Sequence, residues 1–182
     1  KSLAKFSFVI NIQGGETMDY RMEHMPAFYF AGVSRRVPMQ FEGINQEIVK
    51  LAESITEDQR KEMHRLKDMT PSEIVNVSYE ADAKFLKEEG ELTHLIGVLT
   101  TDGSKSDRLE KIYVESYTWA VFPNEGPFPS TLQKTMANIF AQWLPSSNYE
   151  VIQAPNFSFT RLNPQNQEYA YCEIWIPVKE RS

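Results

Sequence analysis

A chain of 182 residues with 41% hydrophobic and 24% charged side chains has enough apolar material for one sizeable core or two small ones. Its net charge of −6, from 19 Lys and Arg against 25 Asp and Glu, leaves no electrostatic footprint for gripping a phosphate backbone, so direct DNA binding by this segment is not expected. One cysteine, Cys172, excludes an internal disulfide and a Cys-rich zinc site, which suits a reducing compartment and makes the cytoplasm the simplest location.

No apolar run approaches a membrane span, and the opening KSLAKFSFVINIQGG lacks a signal peptide's apolar stretch. The segment 1–18 is expected to be a linker or leading strand, and 19–182 one functional domain. From Tyr20 to Val37, YRMEHMPAFYFAGVSRRV is rich in strand formers and reads as one long strand bent at Pro26. Ile44, Ile48, Leu51, Ala52 and Ile55 then fall on one helical stripe. The charged run Thr56–Asp68 continues this helix or begins a second short one, closed by Pro71. Glu73–Ala81 and Leu92–Thr100 read as a hairpin around the turn in KFLKEEGE, and TDGSKSD at 101–107 divides the chain.

The second half repeats this order. Ile112–Phe122 reads as a strand, Gly126, Pro127 and Pro129 as a loop, and Ser130 with Gln133 as a capping box. The next helical stripe is Leu132, Met136, Ile139, Phe140 and Trp143, and Pro145 is expected to stop that helix. YEVIQAP, FSFTRL and YAYCEIWIPV supply further strands. The class expected is therefore α+β: duplicated β-α-β-β units with antiparallel sheets and helices packed outside, the pseudo-repeats covering about 19–101 and 108–180.

Strand parity assigns side chains to faces. In the last strand Cys172, Ile174 and Ile176 share the face suited to a helix, while Tyr169, Tyr171, Glu173 and Trp175 share the other. Tyr117, Trp119 and Val121 likewise fall together, which suggests two aromatic faces meeting across a cleft. A carboxylate walled by rings suits an organic cation, through ion pairing and cation–π attraction. The same pattern equally fits a solvent-facing sheet surface bearing amphipathic aromatics and an exposed glutamate. No local metal motif joins His24, His64 and His94, Gly14-Gly15 lacks a phosphate-loop lysine, and no serine sits in a nucleophile elbow. Cys172 falls on the core face and reads as a small buried hydrophobe rather than a nucleophile. No catalytic residue, metal or cofactor is assigned.

WAVFPNEGPFPSTLQKTMANIFAQWLPSSNYE, followed by AP and CEIWIPV, resembles GyrI-like effector-binding domains, and MEHMPAFYFAGVS is similar to that family's opening strand. KFSFVINIQGGETMDYRMEHMPAF resembles the stretch joining helix-turn-helix domains to the effector domain in AraC-type regulators. The resemblance implies a central pocket for drugs, metabolites or other amphipathic compounds. It marks Glu173 as the pocket glutamate and Trp119 and Trp175, with Tyr117 and Tyr171, as its aromatic lining. It implies a small-molecule effector as partner, DNA contacted only through a separate N-terminal helix-turn-helix region, and no membrane. Relatives of this kind include stand-alone gyrase inhibitors and hydrolases of reactive cyclopropane-containing compounds. Two alternatives follow: a hydrolase in which Glu173 activates water with Tyr117 or Tyr171 as proton donor, and a protein-binding module. Where many relatives carry an acid in the strand after the AP dipeptide, this chain has NFSFTRL, so Glu173 is expected to stand alone and ligands to be weakly charged or neutral.

Overall fold

The computed structural model describes residues 6–11, 17–40, 43–82 and 89–182. Gly14-Gly15 and most of the KFLKEEGE segment lie outside these residues. Two compact units emerge, and they do not follow the halves of the sequence. A split unit comprises Lys1–Met25 with Tyr117–Ser182, and a continuous unit comprises Pro26–Ser116. Both are α+β with antiparallel strand pairing.

In the continuous unit, strands β3 (Phe28–Pro38), β4 (Val75–Tyr79), β5 (Glu91–Thr100) and β6 (Glu110–Val114) form a sheet in the order β4-β5-β3-β6. Helices α1 (Gln46–Ser54) and α2 (Glu57–Leu66) cross between β3 and β4. Ala31 and Val98 pack with Met63 and Leu66 of α2. The charged run thus becomes a second helix, begun by Thr56, whose side chain accepts from Gln59 N while the Gln59 side-chain oxygen accepts from Thr56 N. Ile44 leaves the predicted stripe: it precedes the cap residue Asn45 and is 60% exposed. Gly32 and Gly97 face each other in the β3–β5 register, and a Cβ on Gly97 would lie 2.1 Å from the Ala31 carbonyl oxygen, so only glycine permits this approach.

The split unit holds β1 (Phe6–Asn11), β2 (Thr17–Met25), β7 (Tyr117–Pro127), β8 (Tyr149–Val151), β9 (Asn156–Asn163) and β10 (Asn166–Glu180). The order is β1-β2-β7-β10-β9, with β8 on the end of β10. Helix α3 (Ser130–Asn138) continues through a wide π-turn, Ile139–Trp143, into Leu144–Ser146. Its stripe lands as expected, with Ile139 and Trp143 buried against Ala120, Phe122, Ile174, Ile176 and Val178, and Leu132, Met136 and Phe140 around them.

Four further expectations about local structure need correction. The strand read as Tyr20–Val37 is two strands, because β2 pairs with β7 while β3 pairs with β5 and β6. Pro26, lacking an N–H for a ladder, stands between them. The strand read as Ile112–Phe122 breaks after Val114 for the same reason of changed partners. Ser130 forms no capping box, since Pro129 takes the cap position and the Ser130 hydroxyl donates to the Pro127 carbonyl. Pro145 does not end the helix but sits in its last turn, where the preceding π-turn, closed by Leu144 N–H to the Ile139 carbonyl, relieves the usual α-helical ladder.

Candidate functional site

One face of the split unit's sheet carries α3 and its core; the other gathers rings and charges. Alternation along β10 puts Tyr171, Glu173 and Trp175 on that second face, as parity predicted, and antiparallel register aligns them with neighbours. Glu173 is paired with Pro123 on β7 and Phe159 on β9, and Trp175 with Val121 and Phe157. Tyr117 and Trp119 therefore lie beside β10's aromatics in one sheet rather than opposite them across a cleft. Trp119 and Trp175 meet edge-on at 6.5 Å, as do Tyr117 and Trp119, and Phe157 stacks on Trp175 at 5.3 Å.

Burial excludes the reading of this face as solvent-exposed. Trp119 is 0%, Trp175 2% and Glu173 7% exposed. A carboxylate so placed needs partners, and Glu173 has four donors. The Tyr171 hydroxyl donates to Oε2 at 2.6 Å and Trp175 Nε1 to Oε1 at 3.1 Å. The other two come from Arg21 on β2, whose Nη2 donates to Oε1 at 2.9 Å and Nη1 to Oε2 at 3.3 Å. The Arg21 guanidinium also lies over the Trp175 ring, 5.6 Å from its centroid.

These contacts set the protonation states. Burial pushes the Glu173 carboxyl up, but Arg21, Tyr171 and Trp175 together outweigh it and hold the acid below the usual carboxylate range. Burial likewise opposes the Arg21 charge, and Glu173 and Glu23 restore it with a margin that raises its pKa. Tyr171, desolvated and donating to an ionised acid, is pushed up to about 12. The site at rest is thus an ion pair with a neutral phenol beside it.

Glu173 is not the lone acid expected. Glu23 lies on the same face of β2, its Oε2 3.5 Å from Arg21 Nη2, so one guanidinium bridges two carboxylates. Arg161 on β9 lies over the Phe159 and Tyr171 rings at 5.2 and 5.3 Å. Arg21, Glu23, Phe157, Phe159 and Arg161 escaped the sequence reading. The alternation Arg21, Glu23, Met25 within a strand carried a signal for the first two, because charges recurring every second residue mark one face.

Elsewhere, Cys172 is buried beside the Thr160 hydroxyl, at 3.4 Å, and burial raises its thiol pKa. His24 and His64 are exposed, whereas His94 is buried on β5 and its Nε2–H donates to Asn76 Oδ1 at 2.9 Å. Among the described residues no cluster of His, Cys, Asp and Glu could hold a metal, and no helix is long and apolar enough to cross a membrane.

No curated protein matches the chain. Among solved structures, SAV2435 bound to tetraphenylphosphonium is similar, with a TM-score of 0.66 and 18% identity over 89% of this chain and 94% of that one. The C-terminal domain of EcmrR gives a TM-score of 0.63 and 16% identity over 88% and 97%. EcmrR in a complex with DNA gives 0.61 and 14% identity over 90% and 57%. These likenesses establish the fold. The family model of the GyrI-like small molecule binding domain matches residues 18–179, and with nearly the whole chain so covered, this protein belongs to that family.

Proposed function

We propose that this chain is the small-molecule-sensing domain of a bacterial transcription regulator, of the AraC kind, working in the cytoplasm and reaching DNA through a separate helix-turn-helix region. The ligand-binding residues are Tyr117, Trp119, Tyr171, Glu173 and Trp175. The observation that carries this reading is the buried, fully hydrogen-bonded Glu173 among the aromatic rings of this face. Such a constellation, mostly apolar with a few fixed polar groups, has the chemistry of a site for amphipathic compounds. The ligand-bound and DNA-bound proteins of similar fold support the sensor role. The segments at about 19–101 and 108–180 are read as pseudo-repeats, each running strand, helix, strand, strand.

Because Trp119 and Trp175 are buried, a ligand reaches their rings only when the side chains over them rearrange. That requirement suits a sensor, since a ligand shifts a protein between states only through its differential affinity for them. The hydrolase reading has less support: a Glu173 held ionised and saturated with donors has little capacity to take a proton from water. The test is thermal denaturation with neutral triphenylphosphine oxide and with tetraphenylphosphonium. A saturating ligand at 100 times its Kd adds about 2.7 kcal/mol of stability. At least one compound should raise Tm in a concentration-dependent manner, and Tyr117→Ala should weaken the effect. If no compound shifts Tm and the chain instead retains a protein partner, the protein-binding alternative replaces this reading.

A further inference from the structure

An organic cation at this face would use two groups, the Glu173 carboxylate and the Trp175 ring, and Arg21 already uses both. Its two Nη atoms reach the two Glu173 oxygens, at 2.9 and 3.3 Å, and its Cζ lies 5.6 Å from the Trp175 centroid. With Tyr171 and Trp175 donating one bond each, the carboxylate's acceptor sites are filled. The planar guanidinium matches a carboxylate fork to fork, which a quaternary phosphonium or ammonium, lacking any N–H, does not reproduce. Arg21 is also part of the chain, so it returns to Glu173 without the loss of translational freedom that a free ligand suffers. Displacing it would leave a partly buried guanidinium facing the Glu23 carboxylate, at 3.5 Å.

Resting on the small-molecule reading above, we propose that Arg21 is a resident cation that occupies the Glu173 carboxylate in place of a ligand, so that this chain takes neutral amphipathic compounds and disfavours lipophilic cations. The other charged groups placed on this face by strand register include Asp19 and Glu23 on β2, Glu125 on β7, Glu150 on β8, Arg161 on β9 and Lys179 on β10, with the Tyr171 phenol on β10. Arg21 is thereby a specificity-determining residue.

The experiment measures Kd by calorimetry for tetraphenylphosphonium and for neutral triphenylphosphine oxide, on the wild-type chain and on Arg21→Met, Arg21→Lys, Glu173→Gln and Arg21→Met/Glu173→Gln. Arg21→Met should tighten the phosphonium by about tenfold or more at pH 8 while leaving the neutral probe within about threefold. Its phosphonium affinity should also fall more steeply than that of the wild type as the pH is lowered, because a Glu173 deprived of its cation takes up a proton more readily. Arg21→Lys should behave like the wild type. If Arg21→Met fails to fold, the other pair decides: Glu173→Gln leaves Arg21 without its acid and should weaken the phosphonium by about tenfold, and adding Arg21→Met should restore it. Equal phosphonium affinity in the wild type and Arg21→Met, with the neutral probe bound normally by both, overturns the proposal and leaves the small-molecule reading standing. If neither probe binds any folded variant, the small-molecule reading falls and the proposal with it.

Discussion

Mild acid should destabilise this protein through one buried imidazole. His94 is buried on β5, bonded to Asn76 on the neighbouring strand β4, and burial lowers its pKa from 6.5 to about 4. The unfolded chain therefore binds a proton near pH 6.5 that the folded chain refuses until near pH 4. The stabilisation is fully present above pH 6.5 and is lost progressively as the pH falls, levelling off below about pH 4. A difference of about 2.5 pKa units corresponds to about 3.4 kcal/mol in total, of which roughly 1.4 kcal/mol is lost by pH 5.5 and ~3 kcal/mol by pH 4. Carboxylates such as Glu173 add their own dependence at lower pH, so the assay compares the wild type with His94→Gln, whose amide can keep a bond to Asn76. Urea unfolding of both proteins at half-unit steps between pH 8 and pH 4.5 gives the difference directly. The stability gap between them should shrink toward acid by about 2 kcal/mol by pH 5. A gap that stays constant across this range would refute the reasoning, because His94 would then titrate alike in both states.

Two further outcomes concern packing and the ion pair. Gly97→Ala should cost more than about 2 kcal/mol in chemical denaturation, because its Cβ would meet the Ala31 carbonyl at 2.1 Å and only backbone movement relieves the clash. Arg21→Met and Glu173→Gln should each cost about 2–3 kcal/mol, since each strands a desolvated partner, whereas the double variant should cost little more than either alone; full additivity in the cycle would show that the two side chains do not interact in solution.

How far the sequence anticipated this arrangement depends on the range of each interaction. Periodicity is local, so the α3 stripe from Leu132 to Trp143 and the alternation in β10 were legible and placed Ile174 and Glu173 on opposite faces correctly. The breaks at Pro26 and after Val114 were not, because residues on both sides are good strand formers and only their pairing partners change. Ser130 carried a capping pattern, but Pro129 took the position one residue earlier. Arg21 was hidden for a different reason: its partner is 152 residues away, and no local pattern announces a contact of that span.

That span bears on how the protein is made. The unit from Pro26 to Ser116 is one uninterrupted stretch that a ribosome releases whole, so it can begin folding while the rest is still being synthesised. The unit holding the candidate site cannot, since β2 emerges before the continuous unit and β10 after it, with a complete folding unit threaded between them. Until β10 arrives, Arg21 has no Glu173 and the first half of the sheet has no centre. Closing so long a loop carries an entropy cost that grows only slowly with length, and the intervening unit, once folded, shortens the effective distance to be closed. Separating the chain at Ser116 would therefore not yield a sensor and a spare domain: the C-terminal piece would lack the strand that neutralises its buried acid.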